Sequence, residues 1–405
     1  MSQQVPAILG GEPIFNHKIK IVRPVVPALI EITAELHDIL ASGTLTKGHH
    51  LHIFEEQVAA HLGVKHAVAV SSCTTGLMLT YMASGLRGQA IVPSFTFMAT
   101  VSALVLAGVQ PIFADVDRAT MNLDPTAAAA ALTPETTAIV AVHNFGNPAA
   151  VDALQALAAR HGLSLIFDAA QGFGATYLNN PVGAQGDAQV FSLTPTKLLV
   201  AGEGGIVATN SADLAEQVRI GREYGNDGHY DSAFAGLNAR MPEFNALLAR
   251  HSLRRLEAAA SQRNLIAEHY RMRLGRLPGL SFQQVRPDNR SSYNYFAIVV
   301  DDQVFGLNRD ELALALAAEQ IETRKYYDPP VHRQTAYQQY SPTATNLVNT
   351  DWLAARVLCL PIWSNMTTEV VAHICLAVER IFAAAEEIRP KLTEENLAAA
   401  MTSEL

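Results

Sequence analysis

Two polar residues stand at or near the ends of apolar runs and have the types needed for amine chemistry. Asp168 closes the run Leu163–Asp168, and Lys197 lies between the run Ala188–Ser192 and glycine-rich residues 202–205. An apolar run that ends in a carboxylate is typical of a buried strand that delivers an acid to the carboxyl edge of a sheet. The pattern therefore predicts a lysine nucleophile with a carboxylate delivered beside it.

A lysine and a buried carboxylate are the groups that pyridoxal phosphate needs from a protein. The amine forms a Schiff base with the cofactor aldehyde, and the acid pairs with the protonated ring nitrogen, so the ring accepts electrons from a developing carbanion. A carboxylate at the end of an apolar strand is costly to bury, so Asp168 should have a cationic partner. The residues alone leave open an arginine, a helix N-terminus or a protonated pyridine. We predict an enzyme in which Lys197 and Asp168 are catalytic.

Hydroxyl-bearing residues are candidates for holding the cofactor phosphate. Thr74 and Thr75 lie at a predicted strand-to-helix junction, where backbone N–H groups and the positive helix end face an anion. Ser and Thr are also the commonest helix caps, so a plain capping role is the alternative. Ser192 lies five residues before Lys197, where its hydroxyl could reach the same phosphate or simply satisfy a strand end.

Two further side chains are candidates for contacting the cofactor ring. Phe97 follows the predicted strand Gln89–Val92 and would stack on the ring, with burial in the core as the alternative. Gln171 lies three residues after Asp168 and would hydrogen-bond the phenolic oxygen or face solvent.

The elements that must position these residues alternate in type. Short runs rich in valine and isoleucine are separated by alanine- and leucine-rich helical stretches such as Ala149–His161. This α/β pattern predicts a largely parallel sheet covered on both faces. The seven predicted strands are Ala67–Ser71, Gln89–Val92, Gln110–Ala114, Thr137–Val142, Leu163–Asp168, Ala188–Ser192 and Gly205–Thr209.

A smaller α+β region should follow. We predict a long helix over Ala246–Leu274, then the strand Tyr295–Val300 and the helix Arg309–Glu319. A chain of 405 residues exceeds what one core usually organises, so we expect two domains, a large one over 1–260 and a small one over 261–405. From residue 386 onward we expect a helix that frays into a solvated tail.

Composition narrows the class of protein. A net charge of −9 argues against nucleic-acid binding, although a local site still permits a small anionic ligand. The three cysteines have no metal-type spacing, so we expect no metal site and a reducing compartment. The first residues lack a basic segment with an apolar core, and no stretch approaches the roughly 20 apolar residues of a membrane span. We therefore expect a cytoplasmic protein without a membrane partner.

Six blocks of the sequence, in order and spacing, resemble the DegT-type sugar aminotransferase family, a branch of the fold-type I pyridoxal phosphate enzymes. The resemblance covers about residues 43–361. The matching blocks are Gly63–Val70, Pro93–Phe97, Phe113–Asp117, Asp168–Gln171, Thr196–Lys197 with Gly202–Gly205, and Leu237–Met241.

The resemblance implies a role for each candidate residue. Lys197 would carry the cofactor, Asp168 would hold the pyridinium and Gln171 would lie beside the phenolic oxygen. The remaining roles are phosphate binding by Thr74, Thr75 and Ser192, ring stacking by Phe97, and a phosphate contact across a dimer interface by Asn238. That last role implies a homodimer with shared active sites. The fold implied is that of a fold-type I aminotransferase, with a mostly parallel seven-stranded sheet in the large domain and a smaller C-terminal α+β domain.

The chain departs from the family pattern at two places. Family members commonly have Asn-Gly-Thr-Ala where this chain has Ser72–Thr75, and Ser-Phe-His-x-x-Lys at 192–197, where this chain has no histidine. Backbone donors survive such changes. A related dehydratase group replaces the lysine by histidine, so Lys197 favours transamination.

By resemblance the amino donor is L-glutamate and the acceptor is a nucleotide-linked keto-deoxysugar. The segments Arg324–His332 and Val142–Pro148 are most similar to members that act at C-4 of dTDP-4-keto-6-deoxyglucose. Reaction at C-3, a keto-cyclitol acceptor, a dehydratase or lyase on the same cofactor, and a non-catalytic regulator are the alternatives. Arg240 and His332 are candidates for contacting the substrate, with structural roles as the alternative.

Overall fold

The predicted apolar runs form strands. The computed structural model describes residues 5–343 and 346–392. In chain order the strands are β1 (His66–Val70), β2 (Gln89–Pro93), β3 (Gln110–Ala114), β4 (Thr136–Val142), β5 (Ser164–Asp168), β6 (Thr176–Tyr177), β7 (Asn180–Pro181), β8 (Ala188–Ser192), β9 (Gly205–Thr209), β10 (Leu280–Phe282), β11 (Phe296–Val300) and β12 (Val357–Leu360). All seven strands predicted for the large sheet are confirmed to within one or two residues at each end.

Helices separate most of these strands. They are α1 (Leu29–Ser42), α2 (His49–Leu62), α3 (Cys73–Ala83), α4 (Met98–Leu106), α5 (Pro125–Ala130), α6 (Val151–His161), α7 (Ala212–Gly221), α8 (Glu243–Leu253), α9 (Leu256–Leu274), α10 (Asp302–Phe305), α11 (Arg309–Ala318), α12 (Val348–Ala354), α13 (Thr368–Ala383) and α14 (Ala385–Ile388). Among the residues that the structure describes, no helix is long and apolar enough to cross a bilayer.

The large sheet is mostly parallel, as predicted. Its seven strands have the order β1-β9-β8-β5-β4-β2-β3. Strand β9 runs antiparallel to both neighbours, and the remaining pairs are parallel. The carboxyl ends of β1, β2, β3, β4, β5 and β8 therefore share one edge of the sheet, and β9 begins there. Apolar clusters lie on the two faces, because valine, isoleucine and alanine alternate between them along each strand.

The prediction of one helix over 246–274 is wrong, because the segment forms α8 and α9 with a break at 254–255. The break coincides with a contact that is distant in sequence. The Ser252 hydroxyl accepts a hydrogen bond from Val200 N at 2.9 Å, and Arg255 N donates to Ser252 O at 3.0 Å. The backbone therefore tightens into a turn there and restarts as α9.

The C-terminal region builds its own core. Strands β10, β11 and β12 form an antiparallel sheet covered by α9, α11 and α13. Phe15 and Ile19 from the N-terminal segment pack into this core. The domain boundary near residue 260 stays a prediction. Residues 386–391 are helical, and the rest of the predicted tail, 393–405, lies outside the described residues.

Candidate active site

The strand register brings the candidate residues to one edge of the large sheet. Val70 of β1 and Ser192 of β8 both pair with Gly205, the first residue of β9. Asp168, the last residue of β5, pairs with Val190, two residues before Ser192. The turn that follows Val70, the end of β8 and the acid of β5 are consequently neighbours, although up to about 120 residues separate them in sequence.

Asp168 is buried and is held by neutral donors. Its Oδ2 accepts from the Thr100 hydroxyl at 2.7 Å, and its Oδ1 accepts from Ala170 N at 3.0 Å. The Cys73 thiol lies 4.0 Å from Oδ1. Burial raises the pKa of Asp168, while these hydrogen bonds and the charge of Lys197 oppose the rise. Within the described residues, Asp168 has no salt-bridge partner.

Lys197 lies in the loop between β8 and β9, where Lys197 N donates to Thr194 O at 3.0 Å. Burial lowers the pKa of its amine, and the nearby Cys73 and Asp168 oppose this shift. A buried amine with a lowered pKa is neutral more often than an exposed lysine, and the neutral form is the nucleophile and base. The structure therefore places Lys197 within electrostatic reach of the buried Asp168, and its catalytic role stays a prediction.

The turn after β1 begins a helix that faces the same edge. Ser72 caps α3, since its Oγ accepts from Thr75 N at 3.1 Å, and the Thr75 hydroxyl donates to Ser72 O at 2.9 Å. Thr74 is half-buried in the first helical turn. A Cβ at Gly205 would lie 2.7 Å from backbone atoms of Ser72 and Cys73, so only glycine allows β9 to run this close to the turn. Thr75 therefore has the capping contacts that were the alternative to phosphate binding.

Ser192 begins a short row of hydroxyls beside this turn. Its Oγ lies 3.5 Å from the Thr194 hydroxyl, which lies 3.3 Å from the Thr196 hydroxyl. With Thr74 and the open first turn of α3, Ser192 provides donors suited to a phosphate. These roles stay predictions.

The two ring candidates lie in different surroundings. Gln171 is buried, and its Nε2 donates to the Tyr327 hydroxyl at 3.0 Å, whereas its Oε1 is buried and has no partner among the residues that the structure describes. Phe97 precedes α4 and is 51% exposed, which rules out the core position considered from sequence. Phe97 and Tyr327 also line an adjoining cleft of about 650 Å³.

Asn238 and Arg240 lie at the surface. Arg240 donates to Asn238 Oδ1 at 3.1 Å and pairs with Glu223 at 3.6 Å. Ala239 O accepts from Ser71 N at 2.8 Å, so this segment runs beside the turn that precedes α3. A phosphate contact by Asn238 and a substrate contact by Arg240 stay predictions.

His332 has partners for both ring nitrogens. Nδ1 lies 2.7 Å from Ser94 Oγ, and Nε2 lies 3.4 Å from Asp351 Oδ1. This geometry supports the structural alternative, and the substrate contact stays a prediction.

Sequence reasoning missed two residues that contact Asp168. Thr100 lies 68 residues from Asp168 in sequence. Most of its neighbours in α4 are apolar, so the sequence pattern indicates only a buried helix. Cys73 was considered only for metal or disulfide chemistry. A polar side chain at a buried helix position was the signal available for Thr100, since such a hydroxyl needs a partner.

The geometry agrees with the comparisons to known proteins. Residues 29–379 match the model of the DegT/DnrJ/EryC1/StrS aminotransferase family. The chain belongs to this family. Its sequence is 34% identical over 367 residues to the spore coat polysaccharide biosynthesis protein SpsC of Bacillus subtilis, which covers 87% of this chain and 94% of SpsC.

Solved structures of DegT-family proteins have the same fold. The crystal structure of DesI, determined in the presence of its TDP-sugar product, superposes with a TM-score of 0.87 at 36% identity, over 94% of this chain and 96% of DesI. DesV of S. venezuelae has a TM-score of 0.83 at 32% identity, over 92% of this chain and 99% of DesV. The fold-type I prediction is confirmed, and the chain is a sugar aminotransferase.

Proposed function

We propose that this chain uses pyridoxal phosphate to transfer the amino group of L-glutamate to C-4 of dTDP-4-keto-6-deoxyglucose. One observation carries the proposal. The sheet brings Lys197, whose amine pKa is lowered, to the edge where the buried Asp168 carboxylate has no salt-bridge partner among the described residues. A protonated pyridine would supply that partner, and the lysine would hold the aldehyde.

The surrounding residues fit this cofactor. In Gln171, Nε2 donates to the Tyr327 hydroxyl, and Oε1 has no partner among the described residues. The amide can be turned over, so that Oε1 accepts from Tyr327 and Nε2 is left to donate to the phenolic oxygen. Thr74, Ser192 and the first turn of α3 would hold the phosphate. The exposed ring of Phe97 is available for stacking.

Asp168 and Lys197 would have different roles in the reaction. When bound, pyridoxal phosphate supplies an aldehyde that exchanges amines and a ring that accepts electrons. The Asp168 carboxylate would hold the ring nitrogen protonated. Lys197 Nζ, free once the donor amine has taken its place, would remove the proton from the donor α-carbon and deliver it to the carbon that had carried the cofactor aldehyde. Water would hydrolyse the C=N bond and release the keto acid before the ketosugar binds. Lys197 would then move the proton in the reverse direction, which makes the reaction a ping-pong sequence.

The adjoining cleft supports a nucleotide-linked acceptor. Besides Phe97 and Tyr327, it is lined by the cations Lys18, Arg324 and Lys325. The carboxylates Glu322 and Asp328 also line it, and Arg324 pairs with Glu322 at 2.6 Å. Cations beside aromatic rings suit a diphosphate joined to a base. The DesI structure, which was determined with a TDP-sugar product, supports the same class of ligand.

Reaction at C-4 rests on the similarity of 324–332 and 142–148 to C-4 enzymes. The test is incubation of the protein with pyridoxal phosphate, L-glutamate and dTDP-4-keto-6-deoxyglucose, followed by NMR of the product. An amino group on C-4 supports the proposal. An amino group on C-3 of an isomeric substrate, with no reaction of the 4-keto sugar, would overturn it.

A visible spectrum tests the first half-reaction separately. The purified protein should bind pyridoxal phosphate with an absorbance of about 410 nm, and L-glutamate should remove this band. A band that glutamate leaves unchanged would indicate another donor or lyase chemistry. The absence of any band would refute the cofactor.

We propose a cytoplasmic homodimer with shared sites. Helix α1 supports an interface, since Leu29, Ile30 and Leu40 on it are 70%, 85% and 66% exposed.

Mixed dimers of Lys197→Ala chains with Asn238→Ala chains test whether the active sites are shared between subunits. If Asn238 serves the partner's cofactor, one site per mixed dimer has both residues, and activity returns. Mixed dimers as inactive as the parents would contradict shared sites.

A further inference from the structure

A row of buried hydroxyls ends on Asp168. The Thr96 hydroxyl lies 2.9 Å from the Thr100 hydroxyl, which lies 2.7 Å from Asp168 Oδ2. Thr96 is 1% exposed and Thr100 is 0% exposed. Both distances lie within the normal range for hydrogen bonds between oxygens. The row reaches Asp168 from one side only, because Ala170 N and the Cys73 thiol lie at Oδ1.

The direction of the row follows from proton counting. An ionised carboxylate only accepts hydrogen bonds, so the single Thr100 proton must point to Asp168. Thr100 Oγ1 can then only accept from Thr96, whose proton points to Thr100. Each donated bond polarises the next, so the Thr96 hydroxyl strengthens the bond that Thr100 gives to the carboxylate.

We propose that Thr100, supported by Thr96, is a positioning residue that keeps Asp168 ionised and fixes the orientation of its carboxylate toward the cofactor ring. This proposal rests on the function proposed above. Thr96 follows β2, Thr100 lies on α4 and Asp168 ends β5, so the row ties the carboxylate to a separate layer of the fold. Neither threonine contacts the reacting atoms in this scheme; they act through Asp168.

The Thr100 hydroxyl matters because it stabilises the negative charge of the buried Asp168 carboxylate. Burial raises the pKa of Asp168, and the Thr100 bond is the largest opposing contribution. The other titratable groups that act on Asp168 are Lys197 after β8, Cys73 and Tyr81 on α3, and Tyr327. These groups stay in place when Thr100 is changed, so their effects cancel in a comparison of Thr100 variants.

Matched variants at position 100 provide the kinetic test. Thr100→Val removes the hydroxyl at nearly constant volume, and Thr100→Ser retains it. We expect kcat to fall about ten- to a hundredfold in Thr100→Val, the effect of losing a hydrogen bond to a charged group, with KM for L-glutamate nearly unchanged. Thr100→Ser should stay near wild type, and Thr96→Val should have a smaller effect. Thr80→Val, a buried threonine that bonds only within α3, is the control and should leave kcat unchanged.

A double-variant cycle separates positioning from general damage. Once Asp168→Asn has removed the charge, Thr100→Val should add little further loss of kcat. Losses that multiply in the double variant would overturn the proposal. Equal kcat in Thr100→Val and Thr100→Ser would also overturn it.

A measurement without the cofactor keeps this inference independent of the proposed function. The hydroxyl lowers the folded-state pKa of Asp168 relative to the valine variant, so its stabilisation is complete at high pH and is lost as pH falls through that pKa. Thr100→Val should therefore unfold at lower denaturant than Thr100→Ser at pH 8, and the gap should narrow at pH 4. A gap equal at both pH values would refute the charge argument even if pyridoxal phosphate binds. If the two variants show this gap at pH 8 and the wild-type protein binds no pyridoxal phosphate, only the proposed function is refuted.

Discussion

Two buried carboxylates, Asp168 at the edge of the large sheet and Glu319 in the C-terminal region, are held in opposite ways. Glu319 is paired with the Arg380 guanidinium through both oxygens and also accepts from Ala7 N at 2.9 Å and Ile14 N at 3.0 Å. Asp168 accepts from a threonine hydroxyl and one backbone N–H, with no ion pair in the described part of the chain.

The difference separates a structural charge from a chemical one. A buried ion needs compensation from an opposite charge and from hydrogen bonds. Glu319 finds both within the chain, and it fastens the N-terminal segment to α13. Asp168 forms hydrogen bonds with neutral donors and has no salt bridge in the described part of the chain. Burial raises its pKa despite the nearby charge of Lys197, and a cation brought from outside would lower the pKa again. Binding of a protonated ring would give Asp168 the opposite charge that it lacks as a direct partner.

The largest effect should come from the lysine beside Asp168. Lys197→Ala should abolish turnover and the visible absorbance of bound cofactor, because the only nucleophile proposed for the aldehyde is lost. The protein should remain folded, since Lys197 makes no salt bridge in the described part of the chain and its side chain as a whole is half-buried, although the amine itself is desolvated. Lys65→Ala, at an exposed position, is the control. Turnover retained by Lys197→Ala would refute the proposal that Lys197 is the nucleophile at this edge of the large sheet.

Asp168→Asn should reduce kcat by about 10²–10³-fold, the usual range when a preorganised electrostatic partner is removed. Stability should change little, because an asparagine can accept from Ala170 N and donate to the Thr100 hydroxyl. Activity assays and chemical denaturation of the same preparations measure both. A variant that is active but unstable would place Asp168 with Glu319 as a structural residue.

Glu319→Gln should show the reverse pattern. It leaves Arg380 buried without a counter-charge, so we expect a loss of about 3–5 kcal/mol in the free energy of unfolding. The residual folded protein should bind cofactor normally, because Glu319 lies in the C-terminal core. Denaturant unfolding and cofactor titration provide the two measurements. Loss of cofactor affinity without loss of stability would break the distinction between the two carboxylates.

The sequence was sufficient for the sheet because its strands are short runs of β-branched residues between clear helices. It also indicated that Asp168 needs a partner, since a carboxylate ends an apolar run. The Thr100 contact was not predictable, because it joins residues 68 positions apart. The break before α9 was also missed, since apolar periodicity continues across it. Local pattern carries no information about which distant hydroxyl meets a buried acid.

The surface candidates were the least predictable part of the site. Arg240 and His332 have polar types that suit a substrate, but their partners depend on tertiary packing. Ser94 and Asp351, which bracket the His332 ring, lie far from each other in sequence. The partner of Asn238 would lie on another chain, so one sequence carries no local signal for it.

A buried base extends the comparison to a smaller effect. His143 donates its backbone N–H to Asp168 O, and its ring is buried against Phe167. The ring Nδ1 accepts from Ala149 N at 2.9 Å, so Nε2 carries the proton and faces Gln189 Oε1 at 3.3 Å. Burial lowers the pKa of His143 from 6.5 to about 4. The sheet edge therefore holds this group neutral without a counter-ion.

The stability of the protein should depend on pH through this histidine. In the unfolded chain His143 is protonated below pH 6.5, whereas in the folded protein it stays neutral down to about pH 4. Its contribution to the free energy of unfolding is therefore fully present above pH 6.5 and decreases as the pH falls from 6.5 to about 4. The loss should be about 3 kcal/mol in the free energy of unfolding. Denaturant unfolding of His143→Gln should lack this part of the slope, whereas His37→Gln, at an exposed position on α1, should retain it. Identical slopes in His143→Gln and wild type would show that the fold tolerates a charge on this ring and that burial does not keep it neutral.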